Sequence, residues 1–213
     1  MPVSLENIAA SLKEREETAS IMDLSLEKTN LGPCITEYKL PSEYEDVFIE
    51  LVKNMPDEFW EKATIGAGHK LVASARQCDI LFLTSQAQEN NILKTLDNFI
   101  LNIFKRAMNS YQKENRVLIT ADEGFQILKY YEGGFYKAHV DAGEQFLYRK
   151  VSGILYINDD YDGGELEFTK FNLKIKPKKN SILLFPSNYA YEHIAHTVTK
   201  GEKMCIVSWF FSK

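Results

Sequence analysis

The chain has 213 residues, 45% apolar and 26% charged, with 25 basic against 30 acidic side chains and a net charge of −5. At about 150 residues per domain this predicts one compact domain with room for an appendage, and it excludes a repeat array or a collagen-like chain. The acidic balance gives no global reason to expect nucleic acid as a partner, and no apolar run approaches the ~18 residues needed to span a bilayer, so no membrane partner is expected.

Three cysteines, Cys34, Cys78 and Cys205, are odd in number and lack CxxC spacing, which argues against a disulfide framework or a thiolate zinc site. A reducing, cytoplasmic location is the expectation. The N-terminus carries charges where a signal peptide needs an apolar core, so no leader is expected. Only four histidines occur, at 69, 139, 193 and 196.

Residues 1–30 are polar, with a weak helical stripe (Leu5, Ile8, Leu12), and read as an extension of uncertain order. Residues 31–213 form the predicted domain. Ser42, with Glu45 three residues on, forms a capping-box start for a helix over 42–55. Tyr44, Val47, Phe48, Leu51 and Val52 give it one apolar face, and Pro56 closes it. The loop Ile65-Gly66-Ala67-Gly68-His69 lacks the spacing of a phosphate cradle and reads as a mobile rim. A longer amphipathic helix is predicted over 91–111, where Ile92, Leu93, Leu96, Phe99, Ile100, Ile103, Phe104 and Ala107 keep a spacing of three and four. The span of about 41–115 is therefore expected to be a helical support.

After Glu114 the texture changes to short runs rich in Val, Ile, Leu, Phe and Tyr between turn residues. Strands are predicted over 124–131, 151–158, 165–169, 173–176, 181–185, 195–198 and 203–211. So many short strands in so few residues suggest a sandwich or barrel. The lysines at 170, 174, 176, 178 and 179 read as a solvated strand edge, because Leu173 and Ile175 alternate with Lys174 and Lys176 and no aromatic stacking platform interleaves with them.

Within this region His139-Val140-Asp141 follows a glycine turn. In extended backbone residues two apart project to the same side, so His139 and Asp141 can reach one ion. A third ligand must come from elsewhere, and His193 and His196 compete for it. Two histidines and one carboxylate leave open positions that suit a non-haem iron(II), although zinc accepts the same donors.

The stretch from Phe185 to Lys203, with His193 followed by Val198-Thr199-Lys200-Gly201-Glu202-Lys203 and later Trp209, resembles the C-terminal part of 2-oxoglutarate and iron(II) dependent dioxygenases, specifically their prolyl 4-hydroxylase-like branch. Lys203 stands ten residues beyond His193, as the branch requires. Tyr130 nine before His139, Gly133, Tyr136, the run Arg149 to Asn158 and Gly163-Gly164-Glu165 agree with the same pattern, so the resemblance covers about 126–211. The pattern departs at Thr197, where the branch carries a proline.

The resemblance implies a mainly β, α+β fold: a double-stranded β-helix (jelly-roll) over about 120–213 with the N-terminal helices packed on one outer sheet. It implies His139, Asp141 and His193 as iron ligands, and Lys203, helped by Tyr130 and Ser152, on the distal carboxylate of 2-oxoglutarate. A cation there has a physical reason, since the co-substrate carries a carboxylate at its remote end. Tyr136, Arg76, Arg149 and Trp209 are candidates for the substrate. The implied activity is hydroxylation of an unactivated C–H bond using O2, with release of succinate and CO2 and with ascorbate keeping iron reduced. A prolyl residue of a peptide or protein is the first substrate expectation. Alternatives are a free amino acid or other small metabolite, met by Arg76, Arg149 or Glu144, and a non-catalytic metal or 2-oxoglutarate sensor. Oligomeric state is not legible.

Overall fold

The computed structural model describes residues 26–64, 72–143 and 145–213, together with Glu6, Asn7 and Ala10. The helical stripe of the N-terminal extension, the loop holding His69, and Glu144 lie outside the described residues.

Sixteen strands are described. In chain order they are β1 Glu27–Gly32, β2 Ile35–Lys39, β3 Glu61–Lys62, β4 Arg76–Gln77, β5 Asp79–Phe82, β6 Ala121–Asp122, β7 Gln126–Tyr130 and β8 Phe135–His139. They continue as β9 Val151–Tyr156, β10 Asp162–Gly163, β11 Leu166–Phe168, β12 Leu173–Ile175, β13 Ser181–Pro186, β14 His193–Ala195, β15 Val198–Lys200 and β16 Lys203–Phe211. The major sheet runs β1-β2-β13-β9-β16-β7-β5-β3 with β6 on β16, and the minor sheet runs β12-β11-β14-β8-β4. Every pairing is antiparallel, so the two sheets face each other as a jelly-roll sandwich.

Period-two alternation sorts each strand between two cores. On β16, Met204, Ile206 and Phe210 turn outward to the helices, while Lys203, Cys205, Val207 and Trp209 line the space between the sheets. Leu128 and Tyr130 on β7, and Ser152, Ile154 and Tyr156 on β9, line that same space. The long helix Asn91–Asn115 lays Phe99, Ile100, Ile103, Phe104 and Ala107 on the outer face of the major sheet. It approaches closely at Gly153, where an added Cβ would stand 2.8 Å from the Phe104 ring. Asn90 caps its start, its side chain accepting from the amides of Ile92 and Leu93, and Arg116 ends it with φ 52°. Among the described residues no helix is long and apolar enough to cross a membrane.

Several expectations shift. The first helix runs Glu45–Lys53, because Ser42–Tyr44 closes a tighter 3-10 turn through the Tyr44 amide on the Pro41 carbonyl at 3.1 Å. The cap position falls on Tyr44, with no side-chain cap bond. The long helix continues to Asn115 rather than Tyr111. The strand expected over 195–198 is two strands, β14 and β15, belonging to different sheets, and His193 opens the first. The span expected as helical support also contributes β3, β4 and β5, and the β1–β2 hairpin extends the major sheet from the N-terminal side. Strands as short as two residues carry no readable periodicity.

Candidate active site

Between the two sheets lies a cavity of about 570 Å³, with His139 of β8 and His193 of β14 among its lining residues. His139 is the last residue of β8 and His193 the first of β14, and the ladder sets them directly opposite each other. Their ring centroids lie 4.2 Å apart. Asp141 follows two residues after His139, with its carboxylate oxygens 3.6 Å from His139 Nε2 and 3.9 Å from His193 Nε2. One donor atom from each of the three falls within 4.8 Å of the others.

The hydrogen bonds fix which nitrogens face this centre. His139 Nδ1 is 2.8 Å from the Lys137 carbonyl and His193 Nδ1 is 3.0 Å from the Tyr191 carbonyl. A carbonyl only accepts, so both Nδ1 atoms carry the proton and both Nε2 lone pairs point inward. Burial, reinforced by the neighbouring His193, lowers the His139 pKa to about 3, which keeps the ring in its neutral, ligating form. Burial alone would raise the pKa of Asp141, but His193 and His139, with hydrogen bonds from Ser152 and Trp209, bring it below the ordinary value. Two imidazoles and one carboxylate on adjoining strand ends fit an iron(II) ion.

At the far end of the cavity lies Lys203, 3% exposed. Its ammonium donates to the Gly164 carbonyl at 2.7 Å and has no carboxylate partner among the described residues. Burial lowers its pKa to about 8. Tyr130 is its register partner across β7 and β16, with the ammonium 5.6 Å from the ring. The Tyr130 hydroxyl is engaged by the Cys78 thiol. On the opposite neighbour, β9, Tyr156 lies 5.4 Å from the same ammonium, and its buried hydroxyl has no hydrogen-bond partner among the described residues. A buried cation beside an unpaired hydroxyl fits the distal carboxylate of 2-oxoglutarate. Sequence reasoning missed Tyr156. The signal was available, because Tyr156 is four residues from Ser152 and so shares its inward face.

Ser152 itself is placed differently from the expectation. Four residues along a strand separate it from Tyr156 by roughly 13 Å. Its hydroxyl donates to Asp141 Oδ2 at 2.6 Å, at the metal end of the cavity and not at the Lys203 end.

The remaining candidates form the cavity walls. The Tyr136 ring stacks on His139 at 3.6 Å. Arg76, 8% exposed, places its guanidinium 4.8 Å from Tyr136 and bonds to the Cys78 sulfur and the Thr64 carbonyl. Arg149 lies between the rings of Phe146 and Trp209, at 3.8 and 3.9 Å. Both oxygens of Glu123 pair with it, at 2.6 and 2.5 Å, and it also donates to the Asp141 carbonyl. Glu123 was not foreseen, since nothing in its local sequence signals a partner 26 residues away. His196, the competing ligand, is outside the cavity, its Nε2 2.6 Å from Glu167.

Residues 125–211 match the family model of the 2OG-Fe(II) oxygenase superfamily. Among curated proteins, prolyl 3-hydroxylase 2 of Mus musculus is 37% identical over 70 residues, covering 30% of this chain and 10% of that protein. Human prolyl 3-hydroxylase 3 is 33% identical over 69 residues, covering 30% of this chain and 9% of that one. The chain thus matches about a tenth of the length of these relatives. Among solved structures, a prolyl hydroxylase from Trichoplax adhaerens in complex with a hypoxia inducible factor peptide aligns with TM-score 0.66 at 18% identity, covering 97% of this chain and 91% of that one. A Pseudomonas putida prolyl-4-hydroxylase aligns with TM-score 0.64 at 16% identity, covering 97% and 99%. At these identities the structural likeness concerns the fold. Residues 125–211, the segment that matches the 2OG-Fe(II) oxygenase superfamily, also hold the three side chains that come together as a possible ion site, on a fold like that of solved prolyl hydroxylases.

Proposed function

We propose that this chain is an iron(II)- and 2-oxoglutarate-dependent hydroxylase whose substrate is a prolyl residue in a peptide or protein. The observation that carries the reading is a single cavity with a His–Asp–His cluster at one end and the Lys203–Tyr156 pair at the other. His139, Asp141 and His193 would hold the iron, and Lys203 with Tyr156 would take the distal carboxylate of the co-substrate. Iron, 2-oxoglutarate and O2, when bound, supply the oxidation: one oxygen atom enters the substrate C–H bond, and the other enters succinate as CO2 leaves.

The chain's own contribution is placement and exclusion of water. Phe146, Arg149 and Trp209 form a stack beside Asp141 that would bound one side of a bound substrate ring. Glu123 already neutralises Arg149, which favours an uncharged, peptide-bound target over a free amino acid whose charges would each need a partner. Ascorbate is expected to sustain turnover by keeping iron reduced, and the three free cysteines are consistent with a cytoplasmic location.

The test offers prolyl peptides, free amino acids and oligonucleotides side by side and measures succinate formation. Product analysis then locates hydroxyl on proline C3 or C4. Stimulation by prolyl peptides is the expected result. Stimulation by free amino acids alone would transfer the assignment to a small-molecule hydroxylase, and binding of metal and 2-oxoglutarate without turnover would point to a sensor.

A further inference from the structure

The Asp141 carboxylate is held from behind by two hydroxyls in series. Ser152 Oγ lies 2.6 Å from Asp141 Oδ2 and 2.8 Å from Ser187 Oγ, and both serines are buried, at 2% and 1% exposure. An ionised carboxylate only accepts, so the single hydroxyl proton of Ser152 goes to Asp141. The contact between the two serine oxygens is then a hydrogen bond only if Ser187 donates. The chain has one direction: Ser187 to Ser152 to Asp141.

The backbone of Ser187 is pinned at both ends of this chain. Its carbonyl accepts from the Ala142 amide at 2.8 Å, next to Asp141, and its own amide donates to the Lys150 carbonyl at 3.0 Å, two residues before Ser152. Ser187 therefore ties the end of β13 to the loop carrying Asp141 and to the start of β9.

We infer that Ser187 is a positioning residue for Asp141, acting through the Ser152 hydroxyl, and this rests on the metal centre proposed above. The physical reason is the single proton each hydroxyl owns. With Ser187 donating into its lone pair, Ser152 is locked in the rotamer that serves the carboxylate and is polarised as a stronger donor. Without Ser187 the same hydroxyl loses the partner that fixes its rotation. Outer partners of a ligating side chain typically change metal affinity by about 10–100-fold.

The test is Mn(II) binding to the metal-free full chain, read from the electron paramagnetic resonance signal of free Mn(II), without 2-oxoglutarate or O2. Ser152→Ala should weaken binding by about 10-fold or more and Ser187→Ala by about 3- to 10-fold. The double variant should bind like Ser152→Ala alone, because the series is already cut. Ser187→Cys, similar in volume and a weak donor, should fall between the parent and Ser187→Ala, and it carries the comparison if the alanine variant does not fold. Thermal unfolding of each metal-free variant separates loss of fold from loss of positioning. Parent-like Mn(II) affinity in both Ser187 variants would overturn the inference, as would a Ser187→Ala effect that persists in full on the Ser152→Ala background. Failure of the parent chain to bind Mn(II) would instead overturn the metal centre, and the inference with it.

Discussion

The Lys203 ammonium lies 5.4 Å from the ring of Tyr156, on the neighbouring strand, and the Tyr156 hydroxyl is buried with no partner among the described residues. An unpaired buried hydroxyl costs roughly 1–3 kcal/mol, so its pairing with an arriving carboxylate recovers free energy. Tyr156→Phe should weaken 2-oxoglutarate binding about tenfold while leaving Mn(II) affinity unchanged. Anaerobic titration of the iron-loaded protein, followed by its visible absorption, checks this. Parent-like affinity would remove Tyr156 from the co-substrate site.

Lys203 also sets a pH dependence. Burial lowers its pKa from 10.5 to about 8. Below about 8 the ammonium is charged and attracts the carboxylate; above it the proton is lost and 2-oxoglutarate affinity should fall, approaching tenfold per pH unit. Stability moves the other way. Between about 8 and 10.5 the unfolded chain holds the proton that the folded chain has released, so this residue makes folding more favourable as pH rises. Lys203→Arg stays charged throughout and should flatten the affinity profile. Equal profiles for the two proteins between pH 7 and 10 would assign the anchor elsewhere.

Asp141→Ala should abolish Mn(II) binding, since it removes the only carboxylate of the cluster. His196→Ala should bind Mn(II) within about twofold of the parent, because its partner is Glu167 on the outer face of the minor sheet. Loss of binding in the His196 variant would revise the choice of third ligand.

Arg149 tests the substrate wall. It pairs with Glu123, lies against two aromatic rings and stands two residues before β9, whereas Lys203 lies beside Tyr156 at the other end of that strand. Arg149→Ala should raise the KM for a prolyl peptide about tenfold or more and leave 2-oxoglutarate affinity within about twofold. Steady-state kinetics with each substrate varied in turn distinguishes this from a general loss.

The scaffold offers a control. Asn90 supplies the cap of the long helix through two backbone amides. Asn90→Ala should cost about 1 kcal/mol, a fall in Tm of about 2–4 °C for a chain of this size, with Mn(II) binding retained. Calorimetry of the metal-free protein measures it.

The sequence by itself determined the elements whose pattern is long enough to read. The helix at Asn91 and the strand Lys203–Phe211 follow from spacing alone, and His139-Val140-Asp141 needs only an extended backbone to present both side chains to one ion. The resemblance to the prolyl 4-hydroxylase-like branch, with Lys203 ten residues beyond, favours His193 over His196. Tertiary structure decided what depends on which strands lie side by side. Register places His193 opposite His139, so that two residues 54 positions apart bring their side chains together with Asp141. The sheet order β9-β16-β7 gives Lys203 a tyrosine on either flank, and the depth along β9 moves Ser152 to the metal and Tyr156 to the ammonium. Glu123 and Ser187 became visible for the same reason. A hydrogen-bond partner is chosen by distance in space, and short strands joined across a sandwich leave no periodic trace of that choice.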